Sequence, residues 1–372
     1  MARASGPLPP ASLRRRAGWL IGPLAALGLC AVPLARQQAD PARAYLTAQF
    51  GMTAVELRTL ERREAVTRTL PAADPREVAS LGAIQLDVPA GYYYEQLVDI
   101  SSFKKHEAVR QLGVFGTPAR ASDIASLTLD ADDVQKLRRC TPRDCDLHLS
   151  VEGIARIQHE VTWTARDATV QANRVFREVI AEMTRAYQTS GDEALMTYVT
   201  EPPVSMAREF AALIAAEPGL LGKVPPLREH LAAFPGAAAT GVEDVFYWSK
   251  EKVGPHIVVS VTHMAAVRLP AASAPAVYAV VSRQIYGSRL FEASLGLTML
   301  LESGHSDQRA YVVYVNRSRV DALSGFFGGL TRTIVRSRAR PSMASMLTHT
   351  RRMVETRYAT RRVSDAGVPS RP

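Results

Sequence analysis

The sequence predicts an α+β fold: a long antiparallel sheet, a large helical insertion that interrupts it, and a helical C-terminus. Two stretches carry the sheet. From Phe291 the odd positions Phe291, Ala293, Leu295, Leu297, Met299 and Leu301 are apolar, while Glu292, Ser294, Gly296 and Thr298 are polar or small. A period of two marks a strand with one face in a core. Gly304-His305-Ser306-Asp307 then supplies turn chemistry, and Tyr311 to Val315 returns as a second strand.

The elements follow in order. Pro41 to Phe50 and Thr53 to Arg63 read as short helices, Arg63 to Leu70 as a first strand, and Val78 to Val88 as a second. Pro89 opens a short amphipathic helix that runs to Ile100. Residues 105–240 change character and read as a helical insertion. Asp130, Asp132 and Asp133 give helix N-terminal chemistry, because carboxylates favour the positive end of a helix. A calcium-loop reading of those aspartates lacks the required Gly and closing Glu. Val151 to Ile157, Asn173 to Tyr187 and Ser205 to Ala216 have helical spacing, with Val175, Ile180, Met183 and Ala186 on one face. The sheet resumes at Asp244 to Lys250 and His256 to Leu269, followed by the stretch from Val277. A basic helix runs from Leu330 to Arg340, is interrupted by Pro341, and restarts at Ser342 with Met343, Met346, Leu347, Thr350 and Val354 on one face. Residues 359–372 read as a disordered basic tail.

Composition bounds the function. With 372 residues, 47% hydrophobic and 22% charged, the chain is long enough for one large core or two ordinary ones. The net charge of +9 is uneven. Residues 331–372 hold ten Arg against Glu355 and Asp365, and the start adds Arg3, Arg14, Arg15 and Arg16. The middle is slightly acidic, which is not the footprint of a nucleic-acid-binding body. Residues 1–35 have the order of a secretory signal: Arg14-Arg15-Arg16, an uncharged stretch from Ala17 to Ala35, then polar chain from Arg36. The expectation is export to the periplasm or medium, with an uncleaved anchor at residues 17–35 as the alternative. Beyond that segment two cysteines remain, Cys140 and Cys145. In an exported chain such a pair forms a disulfide, and no further Cys or His pair lies near enough in sequence to complete a zinc site.

The order of elements resembles the START-like lipid-transfer and polyketide-cyclase-like (SRPBCC) superfamily. The residues that carry the resemblance are Gly82 to Ile100, and Ala310 to Ser318 leading into the final helices. It implies a helix-grip fold, in which a curved antiparallel sheet wraps a long C-terminal helix and leaves a cavity between them. The domain plan is then a signal or anchor at 1–35, N-terminal helices and the first part of the helix-grip domain at 36–104, the insertion at 105–240, and the remaining sheet and C-terminal helices at 241–358.

Within that plan His263 is the one ionisable group on an otherwise apolar strand face, and Arg283 sits in phase with Val277, Ala279, Val281 and Ile285. Both are candidates to hold a ligand's polar end, with Tyr286, Trp248 and Tyr247 shaping the pocket. The plain alternatives are a core histidine bonded to a neighbour, an arginine paired with Glu292, and aromatics that simply pack. Nucleophile-elbow, phosphate-loop and dinucleotide motifs are absent from the sequence, and no catalytic residue, metal ligand or cofactor is assigned. The expected function is non-catalytic binding of a lipid or other apolar small molecule, with the insertion capping the mouth and peripheral membrane contact through the Arg-rich C-terminal helix. One alternative is a cyclase- or hydrolase-like enzyme, which needs His263 to converge with Glu292 or Asp99. The other is an envelope protein-interaction module with no open cavity.

Overall fold

A computed structural model describes residues 40–366, except 73, 217, 237–238, 305–307 and 321–327. The expected leader at 1–35 and the turn residues His305 to Asp307 lie outside the described residues.

Two N-terminal helices come first. The α1 helix (Pro41–Phe50) starts where the Asp40 side chain accepts from the Ala42 amide and Pro41 supplies a preset φ; it stops at Gly51, whose φ of 60° suits glycine. Thr53 and Glu56 close a capping box on α2 (Ala54–Glu61). Strands β1 (Val66–Leu70) and β2 (Glu77–Leu86) lead to α3 (Ala90–Val98), α4 (Ile100–Phe103) and β3 (Val109–Phe115). The insertion holds α5 (Ala131–Arg139), α6 (Val151–Glu160), α7 (Ala168–Ser190), a two-stranded ribbon of β4 (Thr197–Tyr198) and β5 (Val204–Ser205), then α8 (Met206–Ala216), α9 (Pro218–Gly222) and α10 (Pro225–Ala233). Five strands follow: β6 (Val242–Val253), β7 (His256–Arg268), β8 (Ala276–Gly287), β9 (Phe291–Glu302) and β10 (Ala310–Val320), and the chain ends in α11 (Gly328–Ala366).

The main sheet has eight antiparallel strands in the order β1-β2-β10-β9-β8-β7-β6-β3. Both of its faces are covered. Odd positions of β7, β9 and β10, including Val259, Val261, Leu295, Leu297 and Val313, pack with the insertion and the N-terminal helices. Even positions, among them Met264, Ala266, Leu300 and Val312, pack with α3, α4 and α11. The insertion therefore lies against the sheet face opposite α11 rather than over a mouth beside that helix. From residue 340 on, α11 docks on β1, β2 and α3 through Met343, Leu347 and Val354. Met346, expected on the same face, is exposed.

Three expectations change. Residues 109–115, expected within the helical insertion, form β3, an edge strand paired with β6, so the sheet gains a strand before the helices of the insertion begin. The helix runs through Pro341; a proline removes one backbone donor, which one long helix can lose without ending. The residues from 359 to 366 are helical rather than tail. Arg357 donates to Gln96 and the Ser102 carbonyl, and Arg361 pairs with Glu95, so these arginines are tied to α3 and α4. Cys140 and Cys145 are joined as a disulfide. Among the described residues no helix is long and apolar enough to cross a membrane.

Candidate functional site

The face of the sheet that carries α3, α4 and α11 is apolar in a band that crosses from Ile84 and Leu86 of β2 to Met264 and Ala266 of β7, and polar beside that band. Ile84, Leu86, Leu300 and Val312 lie against the helices. Farther along, the same face turns to Ser260 and Thr262 on β7, Ser282 and Gln284 on β8, Ser294 on β9, and Tyr314 and Asn316 on β10. With Tyr247 and Glu251 of β6 and Lys104 after α4, these side chains line a cavity of about 220 Å³. Gly296 lets the ring of Tyr314 approach: a Cβ there would lie 3.1 Å from it.

The cavity has two bonded clusters. In the first, the Lys104 ammonium lies 2.8 Å from Glu251 and 5.8 Å from the centre of the Tyr247 ring. Ser249 donates to Glu251 and lies 3.1 Å from the Ser260 hydroxyl. Burial pushes the Glu251 carboxyl up, but the adjacent ammonium outweighs it and the net value is below the ordinary one. Burial likewise disfavours the Lys104 charge, and Tyr247 and Glu251 outweigh that, so the ammonium titrates well above its usual range. In the second cluster Asn316 donates to Ser294 and Tyr314 and accepts from Ser318. Burial raises the Tyr314 phenol. The Gln284 amide nitrogen is buried with no hydrogen-bond partner among the described residues.

Of the residues singled out in the sequence, Tyr247 lines this cavity. His263, Arg283, Tyr286 and Trp248 belong to the opposite face, against the insertion. There His263 Nε2 lies 2.7 Å from Asp244 and its Nδ1 lies 3.0 Å from the Tyr187 hydroxyl. Burial lowers the His263 pKa against the opposing pull of Asp244. It pushes the Tyr187 phenol up to about 12. Arg283 makes two bonds to Asp192, at 2.5 and 2.8 Å, and stacks over Phe210 with 4.2 Å to the ring centre. Trp248 donates to the Asp123 carbonyl. Tyr286 is wholly buried between Phe176 and Tyr198. The carboxylates that an enzymatic reading needed beside His263 are engaged elsewhere, Glu292 with Arg76 and Asp99 at the N-terminus of α4.

Sequence reading missed Lys104, Glu251 and the ring of hydroxyls and amides. Their signal was present as the polar half of the alternation in β7 to β10, which reads as a solvent face unless something covers it. A second depression of about 990 Å³ lies on the insertion between α6, α7 and residues 194–203. In its wall Arg156 pairs with Glu182, and it also pairs with Glu178.

No family model matches the chain, and no curated protein matches it. Among solved structures, the di-domain ARO/CYC BexL from the BE-7585A biosynthetic pathway aligns over 75% of this chain and 97% of its own, at 13% identity and a TM-score of 0.22. At that score the likeness carries no argument about fold or function. The class rests on the molecule itself: an α+β protein with an eight-stranded antiparallel sheet, covered by helices on both faces.

Proposed function

We propose that this protein binds a small polar molecule in the cavity between the sheet and Lys104, and does not transform it. One observation carries the reading: a run of hydroxyl, amide and charged side chains lines one cavity on a sheet face whose neighbouring positions are apolar and packed under helices. Burying polar groups costs free energy unless they are bonded, and the Gln284 amide nitrogen at this cavity has no partner among the described residues. The volume corresponds to roughly seven waters at about 30 Å³ each. That is below the range of sites for drug-sized ligands. A lipid chain would be too large and would meet polar walls, so the ligand class shifts from apolar to small and polar. The two charged lining groups neutralise each other, which favours binding over proton transfer. The START-like resemblance, from which the order of elements departs at β3, supports a small-molecule site on this sheet. Export belongs to the same proposal. The Cys140–Cys145 bridge supports it, because such bonds persist in oxidising compartments.

The test is native mass spectrometry of the full chain with a panel of small polar metabolites, repeated on Ser282→Phe, which fills the cavity. A stoichiometric adduct lost in Ser282→Phe is the expected result. An adduct unchanged by the filled cavity, or none from the panel, would overturn the reading.

A further inference from the structure

On the sheet face opposite the cavity, side chains from three separate elements converge on one point. His230 comes from α10, Asp244 from β6 and His263 from β7. The two imidazole Nε2 atoms lie 2.8 and 2.7 Å from the same oxygen, Oδ1 of Asp244. The donor atoms of the three residues all lie within 4.8 Å of one another. We propose that His230, Asp244 and His263 bind a first-row divalent transition cation of the zinc type, which clamps the insertion to the sheet.

The donor chemistry supports this, since two imidazoles and one carboxylate suit zinc and its neighbours in the first row rather than magnesium or calcium. The spacing is compatible as well. With metal–ligand bonds of about 2.1 Å, nitrogen–oxygen separations of 2.7 and 2.8 Å subtend roughly 80–85° at the ion. Each imidazole is thus placed against the carboxylate at about the angle between neighbouring ligands of an octahedron, which leaves positions for water. The surroundings also fit a ligand set. The Tyr187 hydroxyl bonds Nδ1 of His263 and so turns Nε2 toward the carboxylate, the kind of outer contact that orients a metal-binding histidine. Both imidazoles are almost wholly buried, while the Asp244 side chain keeps 23% of its exposure and opens one side to solvent. Arg283, which packs on the same tyrosine, is already neutralised by Asp192, so the Asp244 carboxylate is left to balance an ion. His230 Nδ1 is buried without a partner among the described residues, so the contact of Nε2 with Asp244 is the polar tie on this ring. A coordinate bond on Nε2 strengthens the tie that holds this ring in place.

Isothermal titration of the full chain with zinc chloride, after chelator treatment and dialysis, tests the proposal. One ion per chain is expected, with His230→Ala reducing the affinity at least a hundredfold. Tyr187→Phe keeps the ring and removes the outer contact, and is expected to weaken binding about ten- to a hundredfold. The absence of stoichiometric uptake by the wild type overturns the proposal. So does uptake that is unchanged in His230→Ala. Should His230→Ala fail to fold by circular dichroism, Tyr187→Phe decides alone, and unaltered affinity in that variant overturns it. The polar cavity takes no part, so Ser282→Phe binds zinc as the wild type does, whatever the fate of the small-molecule reading.

Discussion

Removing one member of the Lys104–Glu251 pair is expected to cost more than removing both. Their side chains keep 23% and 18% of their exposure, and they sit 2.8 Å apart against the cavity. Breaking a fully buried pair costs about 3–5 kcal/mol, because the surviving charge is stranded. The remaining exposure places each single variant, Lys104→Met or Glu251→Gln, nearer about 2–3 kcal/mol. The double variant leaves no stranded charge and is expected to lose about 1 kcal/mol or less. Urea unfolding of all four proteins at pH 7 measures the cycle. For a body of this size, about 2.1 cal/mol/K per residue converts the single-variant loss to a fall in Tm of roughly 3–4 °C. The pair also sets two limbs in the pH dependence. Glu251 is held below its ordinary value of 4.5, so its contribution is present above that pH and is lost as the pH falls through the lowered value. Lys104 is raised above 10.5, so its contribution is present below that pH and is lost as the pH rises through the raised value. Both limbs flatten in the double variant. Additive losses in the single variants, or limbs that survive in the double, would refute the paired-charge account of the cavity.

Other expectations follow from the packing. A Cβ on Gly82 would lie 2.6 Å from the Met343 sulfur and 2.7 Å from Leu347, so Gly82→Val is expected to push α11 off β2 at a cost of about 1–3 kcal/mol, read by urea unfolding. Limited proteolysis should then cut α11 sooner than in the wild type. Arg317 and Glu77 form a pair buried between β10 and β2, and Arg317→Met is expected to destabilise by about 3–5 kcal/mol in the same assay. The Cys140–Cys145 bridge closes a loop with a sequence separation of 5. The double Cys→Ser variant is expected to lose only about 2 kcal/mol by loop entropy, which calorimetry checks.

Much of the fold was legible because it obeys simple periods. The alternation from Phe291 to Leu301 marked β9, and the spacing of Val175, Ile180 and Met183 marked α7. The edge strand β3 was not legible. Its residues Val109 to Leu112 are half-buried or exposed on both faces, so they show no period of two. Pro341 misled because a local rule about one missing donor was set against a helix held along its later turns by Met343, Leu347 and Val354. The site was hidden for a different reason. A period of two says that the faces of a strand differ, and does not say what the polar face looks at. Ser294, Thr262 and Asn316 therefore read as solvent-facing, although they line a cavity with Lys104 and Glu251. His263 was singled out for good cause, as an ionisable group on an apolar face. Its partners His230 and Asp244 sit 33 and 19 residues earlier, with no local motif to join them.

Thr262 and His263 are neighbours in sequence on β7, yet one lines the cavity and the other joins the histidine–aspartate cluster. The sheet thus acts as a partition one backbone thick between a polar cavity and a packed histidine–aspartate cluster. Inserting a single residue into β7 ahead of this pair would turn each to the other face, placing a threonine against Asp244 and an imidazole at the apolar Met264 site. Point substitutions, by contrast, stay on their own side. A library that varies only even positions of this strand would retune the cavity while leaving the cluster intact, so the two can be engineered, or can drift, as separate organs of one molecule.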